Sequence, residues 1–391
     1  MRCLSIFFLA LFLVSCSSKE KTDIKTIDVL SPPGPELKNL SEIATDVQYI
    51  PLETVPKALM RFVNYLKTGN DKFYINVSTE ILCFDKTGKF LHKLSQKGRG
   101  PNEYMYISDY DILPEKNLLI VLTGGKLQFY DEIDTGFVLK RSLDMKLRPQ
   151  YCDFFPGSES ILLSFPSSTG EFTFQSILIN PEGDTLYKRP NYYKFTRNSK
   201  VVMGFSADIV IQSIDNMMRV KGFMSDTIFS VDKDFKYSPY MILSTGGKSI
   251  TPDFLANMPM PDMKSGSSPT SQFVQVTGLF EIERYLFYRY SYQKSGSWGV
   301  YDKTTGISHP FDAKVLLKDD ISGGISIEPK FVCGGKIYSW TAALPLKTLL
   351  NSDEFRNAEV KNPDRKAELE KLAATIKEDD NHLLIVITPK K

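Results

Sequence analysis

A small all-β unit recurs along this chain, and one such unit cannot bury its own apolar face; repetition therefore decides what the chain can fold into. The clearest copy is Lys72 to Tyr104, KFYINVSTEILCFDKTGKFLHKLSQKGRGPNEY. Phe73, Tyr74, Ile75 and Val77 are aromatic or β-branched, which suits a pleated, half-buried surface. Ile81-Leu82-Cys83-Phe84 is a continuous apolar run, the pattern of a strand covered on both faces. Asp85-Lys86-Thr87-Gly88 supplies turn chemistry: Asp85 can accept from amides just ahead of it, and Gly88 tolerates positive φ. Phe90 to Leu94 alternates, as a strand with one solvated face does.

Similar units begin near Leu118, Ser160, Arg219, Arg284 and Lys336, a spacing close to that of a four-stranded propeller blade. Six units predict an all-β six-bladed β-propeller of four-stranded blades, in which radial closure leaves few exposed strand edges. A β-sandwich is the runner-up. Asn362-Pro363-Asp364 predicts a short C-terminal helix over Arg365 to Glu378, with Leu369, Leu372, Ala373 and Ile376 as its apolar stripe. The closing strand Leu383 to Ile387 follows. Val47 to Leu52 is expected to join it in one blade, latching the ring with both ends of the domain.

The N-terminus reads as an address. Arg2 precedes the apolar stretch Leu4 to Val14, and Leu13-Val14-Ser15-Cys16 matches a bacterial lipobox. Three regions are therefore expected: a lipoprotein signal peptide over 1–16 with Cys16 as the lipidated residue, a flexible polar tether over 17–40, and the propeller over 41–391. Past the signal no apolar run is long enough to span a bilayer, so the only membrane attachment expected is the lipid anchor. The net charge of +2 argues against a nucleic-acid surface. Cys83, Cys152 and Cys333 form no disulfide framework; Cys83 is expected to be a buried small hydrophobe, and a single Cys152–Cys333 bridge is conceivable but unsupported.

Catalytic signatures are missing. His92, His309 and His382 have no ligand-spaced partners and read as surface or edge residues, and no HExxH, GxSxG, P-loop, CxxC pair or aspartate box occurs. No catalytic residue and no metal ligand is assigned. The candidate ligand-binding loop is Gln96-Lys97-Gly98-Arg99-Gly100-Pro101-Asn102-Glu103-Tyr104. Its glycines permit close backbone approach, Arg99 offers a planar fork of donors, Glu103 could pair with it, and Tyr104 presents a ring with a polar tip. The same residues also suit an inter-blade connector with a structural Arg99–Glu103 pair. Tyr290 and Trp298 belong to an aromatic hairpin, half core and half a potential stacking platform. Asp109 and Asp111 alternate on a strand and could hold a cation at the ring mouth; calcium is the one cofactor considered. The segment Thr245 to Gln272 is expected to be disordered or a lid.

With the lipobox, Tyr49-Ile50-Pro51-Leu52-Glu53-Thr54, Ile81 to Leu91 and Gly98-Arg99-Gly100-Pro101-Asn102-Glu103-Tyr104 in this order, the chain resembles the six-bladed β-propeller lipoproteins of Bacteroides-type gut bacteria, which are similar to NHL-repeat propellers. It departs from that pattern at Asn102, where the family more often has glycine. The resemblance implies the fold, an outer-membrane lipoprotein of the cell envelope facing the periplasm or the surface, and no transferable catalytic residues. The expected function is a monomeric binding or scaffolding module for an extracellular glycan, a peptide or an envelope protein. The alternatives are a hydrolase or lyase using carboxylates and calcium at the channel mouth, or a purely structural envelope component.

Overall fold

A computed structural model describes residues 24–200, 208–260 and 268–391; the lipobox and Cys16 lie outside them. Six antiparallel sheets are arranged as propeller blades. The first holds Tyr65–Gly69, Lys72–Asn76, Glu80–Asp85 and Phe90–Ser95, and the second Asp109–Leu113, Leu118–Thr123, Lys126–Ile133 and Gly136–Asp144. The third holds Tyr151–Phe154, Ile161–Ser164, Phe174–Ile179 and Thr185–Pro190. Ile209–Ile214, Met217–Gly222, Thr227–Val231 and Tyr237–Ser244 make the fourth. Gln275–Glu281, Tyr285–Tyr292, Ser295–Asp302 and Ile307–Asp312 make the fifth. The sixth combines Phe331–Cys333, Lys336–Thr341 and Leu383–Pro389 with Ala44–Pro51 from the N-terminal part of the chain. The first strand of each blade is innermost, where it approaches the first strands of its neighbours.

The period-2 alternation of a strand explains how the blades adhere. In Glu80–Asp85, Leu82 and Phe84 pack against the sixth blade with Phe73, Tyr338 and Leu384. Ile81 and Cys83 point the other way, toward Tyr110, Leu119 and Tyr130 of the second blade. Each blade is thus apolar on both faces, and the core is a ring of interfaces between blades. Fully burying each such side chain contributes about 1.5–3 kcal/mol.

The turn at Asp85 forms as its residues dictate. Asp85 Oδ1 accepts from the Thr87 and Lys89 amides at 2.8 and 3.0 Å. Gly88 adopts φ +88° and lies so close to the Pro51 carbonyl that a Cβ would stand 2.0 Å from it. Closure also follows the expectation: Val47 pairs with Ile387 and Tyr49 with Ile385. The helix is Pro363–Thr375, capped by the Asn362 side chain. Arg365 fixes it to the closing blade through Asp46, two bonds of 2.7 Å. Two short helices, Ala343–Leu350 and Asp353–Arg356, were not anticipated.

Three expectations are corrected. The tether does not reach residue 40. Lys25–Asp28 pairs in parallel with Tyr237–Ser244 as a fifth strand of the fourth blade, and Ile27 and Val29 are buried there. The chain then runs along the fifth blade, with Gly34 N donating to Ser308 O and Leu37 N to Pro310 O, both at 2.8 Å. Apolar residues spaced among the prolines hold it down. Second, His92 is buried rather than peripheral, because its strand face is turned toward the second blade. Third, Cys152 and Cys333 are free thiols on the innermost strands of different blades. The segment from Thr245, expected as disordered or a lid, is ordered where described. Pro252–Ala256 is helical, and Met258 packs with Met224, Ile250 and Leu255, whereas Met260 is exposed and Met263 lies outside the described residues. Among the described residues no helix is long and apolar enough to cross a membrane.

Candidate functional site: the axial cavity

Innermost strands belong to separate sheets, so backbone ladders do not join them. Side chains do it instead. Asp109 Oδ2 accepts from Cys152 N at 2.9 Å and Asp111 Oδ2 from Phe154 N at 2.8 Å, stitching the second blade to the third. Across the ring, Gln212 Nε2 donates to Glu281 O at 2.5 Å while Glu281 N donates back to Gln212 Oε1 at 2.6 Å. Each bond satisfies an inner-strand group that would otherwise be an unpaired edge.

These strands enclose a cavity of about 930 Å³ with contributions from all six blades, within the range of small-molecule sites. It opens among the turns after the innermost strands, at Glu115, Gly157, Asp215, Glu283 and Gly335. Its interior has two charged centres. In one, Lys67 Nζ lies 3.0 Å from Asp111 Oδ1 and 3.4 Å from Asp153 Oδ1. Burial pushes Asp109 upward, reinforced by the Asp153 carboxylate and opposed by Lys67. Burial also pushes Asp153 up, against the pull of Lys67. In the other centre, Glu281 accepts from Arg219 Nε at 2.8 Å, Lys303 Nζ at 2.9 Å and the Tyr240 hydroxyl at 2.5 Å. The Arg219 guanidinium stacks over the Tyr240 ring at 3.8 Å. Three exposed carboxylates, Glu115, Asp215 and Glu283, ring the mouth.

The sequence-derived candidates fall in several places. The loop Gln96 to Tyr104 joins the outermost strand of one blade to the innermost strand of the next. In an antiparallel blade that junction lies at the end opposite the cavity mouth. Arg99 is exposed there. Glu103 does not pair with it: its carboxylate accepts from Gly100 N at 2.7 Å and fills the space beside Gly98, where a Cβ would clash at 1.8 Å. Gly98 therefore serves this close approach. Tyr104 is buried with its hydroxyl unpartnered, and burial pushes that hydroxyl up to about 12. Trp298 is core: it stacks on Phe311 at 5.4 Å and Phe280 at 6.0 Å, and its indole N–H reaches Glu328. Tyr290 is half-buried, stacked on Tyr288. Asp111 lines the axial cavity and pairs with Lys67, whereas Asp109 lies behind it, bonded to the Cys152 amide. Lys67, Asp153, Gln212, Arg219, Glu281 and Lys303 were missed. For all but Lys303, which sits on a turn, the signal is a polar residue in an otherwise apolar strand.

No curated protein matches the chain. Solved structures that share its fold include two from Bacteroides. A Bacteroides fragilis protein described as exported superposes with a TM-score of 0.67 at 19% identity, covering 91% of this chain and 99% of that one. A member of the duf4221 family from Bacteroides vulgatus does so with a TM-score of 0.53 at 12% identity, covering 89% and 97%. A family model described as "Domain of unknown function (DUF4934)" matches residues 24–388, from the strand that extends the fourth blade to the strand that closes the ring. The chain belongs to that family.

Proposed function

We propose that this protein is a binding propeller of the cell envelope whose axial cavity recognises the exposed part of a glycan, a peptide or a partner protein. The carrying observation is the state of the cavity's interior charges. Lys67, Asp111 and Asp153 are paired with one another, as are Arg219, Lys303 and Glu281. Groups fixed in this way present donors and acceptors at little further entropic cost, which favours recognition. The interior is nearly balanced, whereas the mouth carries Glu115, Asp215 and Glu283. That charge favours neutral polyhydroxyl or cationic ligands and repels polyanions.

The address rests on sequence. Arg2, the apolar stretch and the lipobox support export and acylation at Cys16. The fold shared with a Bacteroides protein described as exported agrees with it. With the first described strand at Lys25, the eight residues between it and Cys16 reach about 30 Å at most. A short leash of this kind would hold the rim of the fourth and fifth blades near the bilayer.

A hydrolase or lyase is the second reading, favoured by the raised Asp109 and Asp153, since perturbed carboxylates near a cleft are candidate acids. One experiment separates the two. The purified chain is titrated calorimetrically with neutral oligosaccharides, basic peptides and polyanionic glycans, and each mixture is then assayed for product. Binding of a neutral or basic class without turnover, lost in Arg219→Met, supports the first reading. Turnover lost in Asp153→Asn establishes the second. Binding of polyanions alone would overturn the cavity assignment.

A further inference from the structure

Cys83 and His92 stand directly opposite each other on neighbouring strands of the first blade, so their side chains share one face. That face meets the second blade at Glu132. His92 Nε2 lies 3.0 Å and Cys83 Sγ 3.6 Å from the same Glu132 oxygen, and the three donor atoms all fall within 4.8 Å of one another. Tetrahedral zinc, with bonds of about 2.3 Å to sulfur and about 2.0–2.1 Å to nitrogen and oxygen, requires ligand atoms about 3.3–3.6 Å apart. The two contacts to Glu132, at 3.0 and 3.6 Å, are close to that, and the Cys83 and His92 atoms lie within 4.8 Å of each other.

We propose that Cys83, His92 and Glu132 form an inter-blade binding site for a soft-to-borderline divalent cation, zinc above all. The cation position is held by Lys72, whose ammonium lies 2.9 Å from the Glu132 oxygen. Lys72 is partly exposed, so its ammonium can swing to solvent when a metal ion takes its place. Tyr74 donates to the other Glu132 oxygen at 2.7 Å and keeps the carboxylate aimed at the site. Sulfur, nitrogen and one carboxylate oxygen supply three ligands, and water completes four. As the metal binds, the Cys83 thiol loses its proton to solvent, and the His92 proton facing Glu132 passes to Nδ1, which frees Nε2 as the ligand. Contacts from His92, Tyr74 and Lys72 fix the orientation of the Glu132 carboxylate toward the site.

One feature sets the strength. His92 Nδ1 has no hydrogen-bond partner, and its ring packs T-shaped against Phe137 at 5.0 Å. Metal-binding histidines usually have an outer-shell acceptor at that nitrogen, and lacking one costs roughly 10–100-fold in affinity. The displaced Lys72 adds to the cost. The site should therefore bind well below the strength of a dedicated structural zinc centre. Because its ligands come from two blades, the ion would staple them.

The test uses the full chain, untagged and stripped with chelator, titrated with Co²⁺ and Zn²⁺. Co²⁺ should bind once per chain with a thiolate-to-metal charge-transfer band, and Zn²⁺ should displace it and raise the unfolding midpoint. Cys83→Ser should abolish the band, and His92→Gln should weaken binding at least tenfold. Lys72→Ala should tighten binding several-fold by removing the competing cation; a merely structural role for Lys72 predicts no such gain. Should Cys83→Ser fail to fold by circular dichroism, the Lys72→Ala and His92→Gln shifts decide. No charge-transfer band in the folded wild type, or unchanged affinity in both Lys72→Ala and His92→Gln, overturns the proposal. The cavity reading is independent of either outcome.

Discussion

Lys67→Met is the sharpest test of how the axis is held together. Lys67 is the cation facing Asp111 and Asp153, with Asp109 close behind. Asp109 is already pushed upward by burial, so the carboxylate that responds to losing Lys67 is Asp153, the next one raised. Left in a low-dielectric ring without its partner, it takes up a proton. Unfolded, that group titrates near 3.9, and each unit by which its folded value is raised is worth about 1.4 kcal/mol. Wild-type Asp153 is already raised to about 6, so holding it protonated in the variant adds about 1.4 kcal/mol near pH 7 and almost nothing near pH 5. The sign is fixed: the folded variant binds the extra proton, so its stability falls as pH rises above about 4 until the folded group titrates. Urea unfolding of wild type and variant at a series of pH values reads the difference directly. A loss that is independent of pH, or below about 1 kcal/mol near neutrality, would refute the ion-centre argument and make Lys67 a packing residue.

Four further outcomes follow from the same geometry. Lys221 is buried, and burial lowers its ammonium to about 8, only partly offset by Asp226. Lys221→Met should therefore stabilise the protein near neutral pH by on the order of 3 kcal/mol, and the wild type should gain stability as pH rises from about 8 to 10.5, where only the unfolded chain still holds the proton. Trp298→Ala should cost about 3–5 kcal/mol in chemical denaturation, as a core aromatic does; a shift in ligand affinity without a stability loss would restore the stacking platform. Ile387→Lys, in the strand that Val47 and Ile337 sandwich, should prevent closure, read as loss of a cooperative unfolding transition. Arg99→Ala should change neither stability by more than about 0.5 kcal/mol nor the affinity of a cavity ligand, since Arg99 is exposed at the far end; weakened binding would move the site to the loop.

What could be read from the sequence divides along a physical line. Strands covered on both faces are continuous apolar runs, so Ile81 to Phe84 and Leu383 to Ile387 announced the middle strands of their blades and the latch. Innermost strands face the cavity on one side and are stitched to neighbours by side chains, so they carry Lys67, Asp111, Asp153 and Gln212 and break that pattern. The repeat units legible in the sequence accordingly begin at the second strand of each blade. The strap from Lys25 was hidden by its prolines and polar residues, since only a few positions, such as Ile27, Val29 and Leu37, do the packing. Glycines drew attention to the Gln96–Tyr104 loop, yet Gly98 answers to Glu103 of the same loop. Periodicity reports what a side chain avoids, water, and is silent on which partner it meets; the ion centres depend on the latter.

That distinction bears on what the carboxylates at the axis are for. A ring of separate sheets leaves inner-strand amides without ladder partners, and Asp109 and Asp111 answer those of Cys152 and Phe154. On the opposite side the Gln212 side-chain amide does the same work, donating to the Glu281 carbonyl and accepting from the Glu281 amide. The carboxylates of Asp109 and Asp111 are thus taken up by closure before any ligand is considered, and acidic groups converging at the axis are by themselves no sign of catalysis. Specificity has to come from groups that closure does not consume. Those are Asp153 with its cation on the wall, the stacked Arg219–Tyr240 pair, and the carboxylates of Glu115, Asp215 and Glu283 on turns at the mouth. Turn residues can be exchanged with little cost to the ring, so the mouth is where relatives of the same fold can take different ligands while the stitched interior stays as it is.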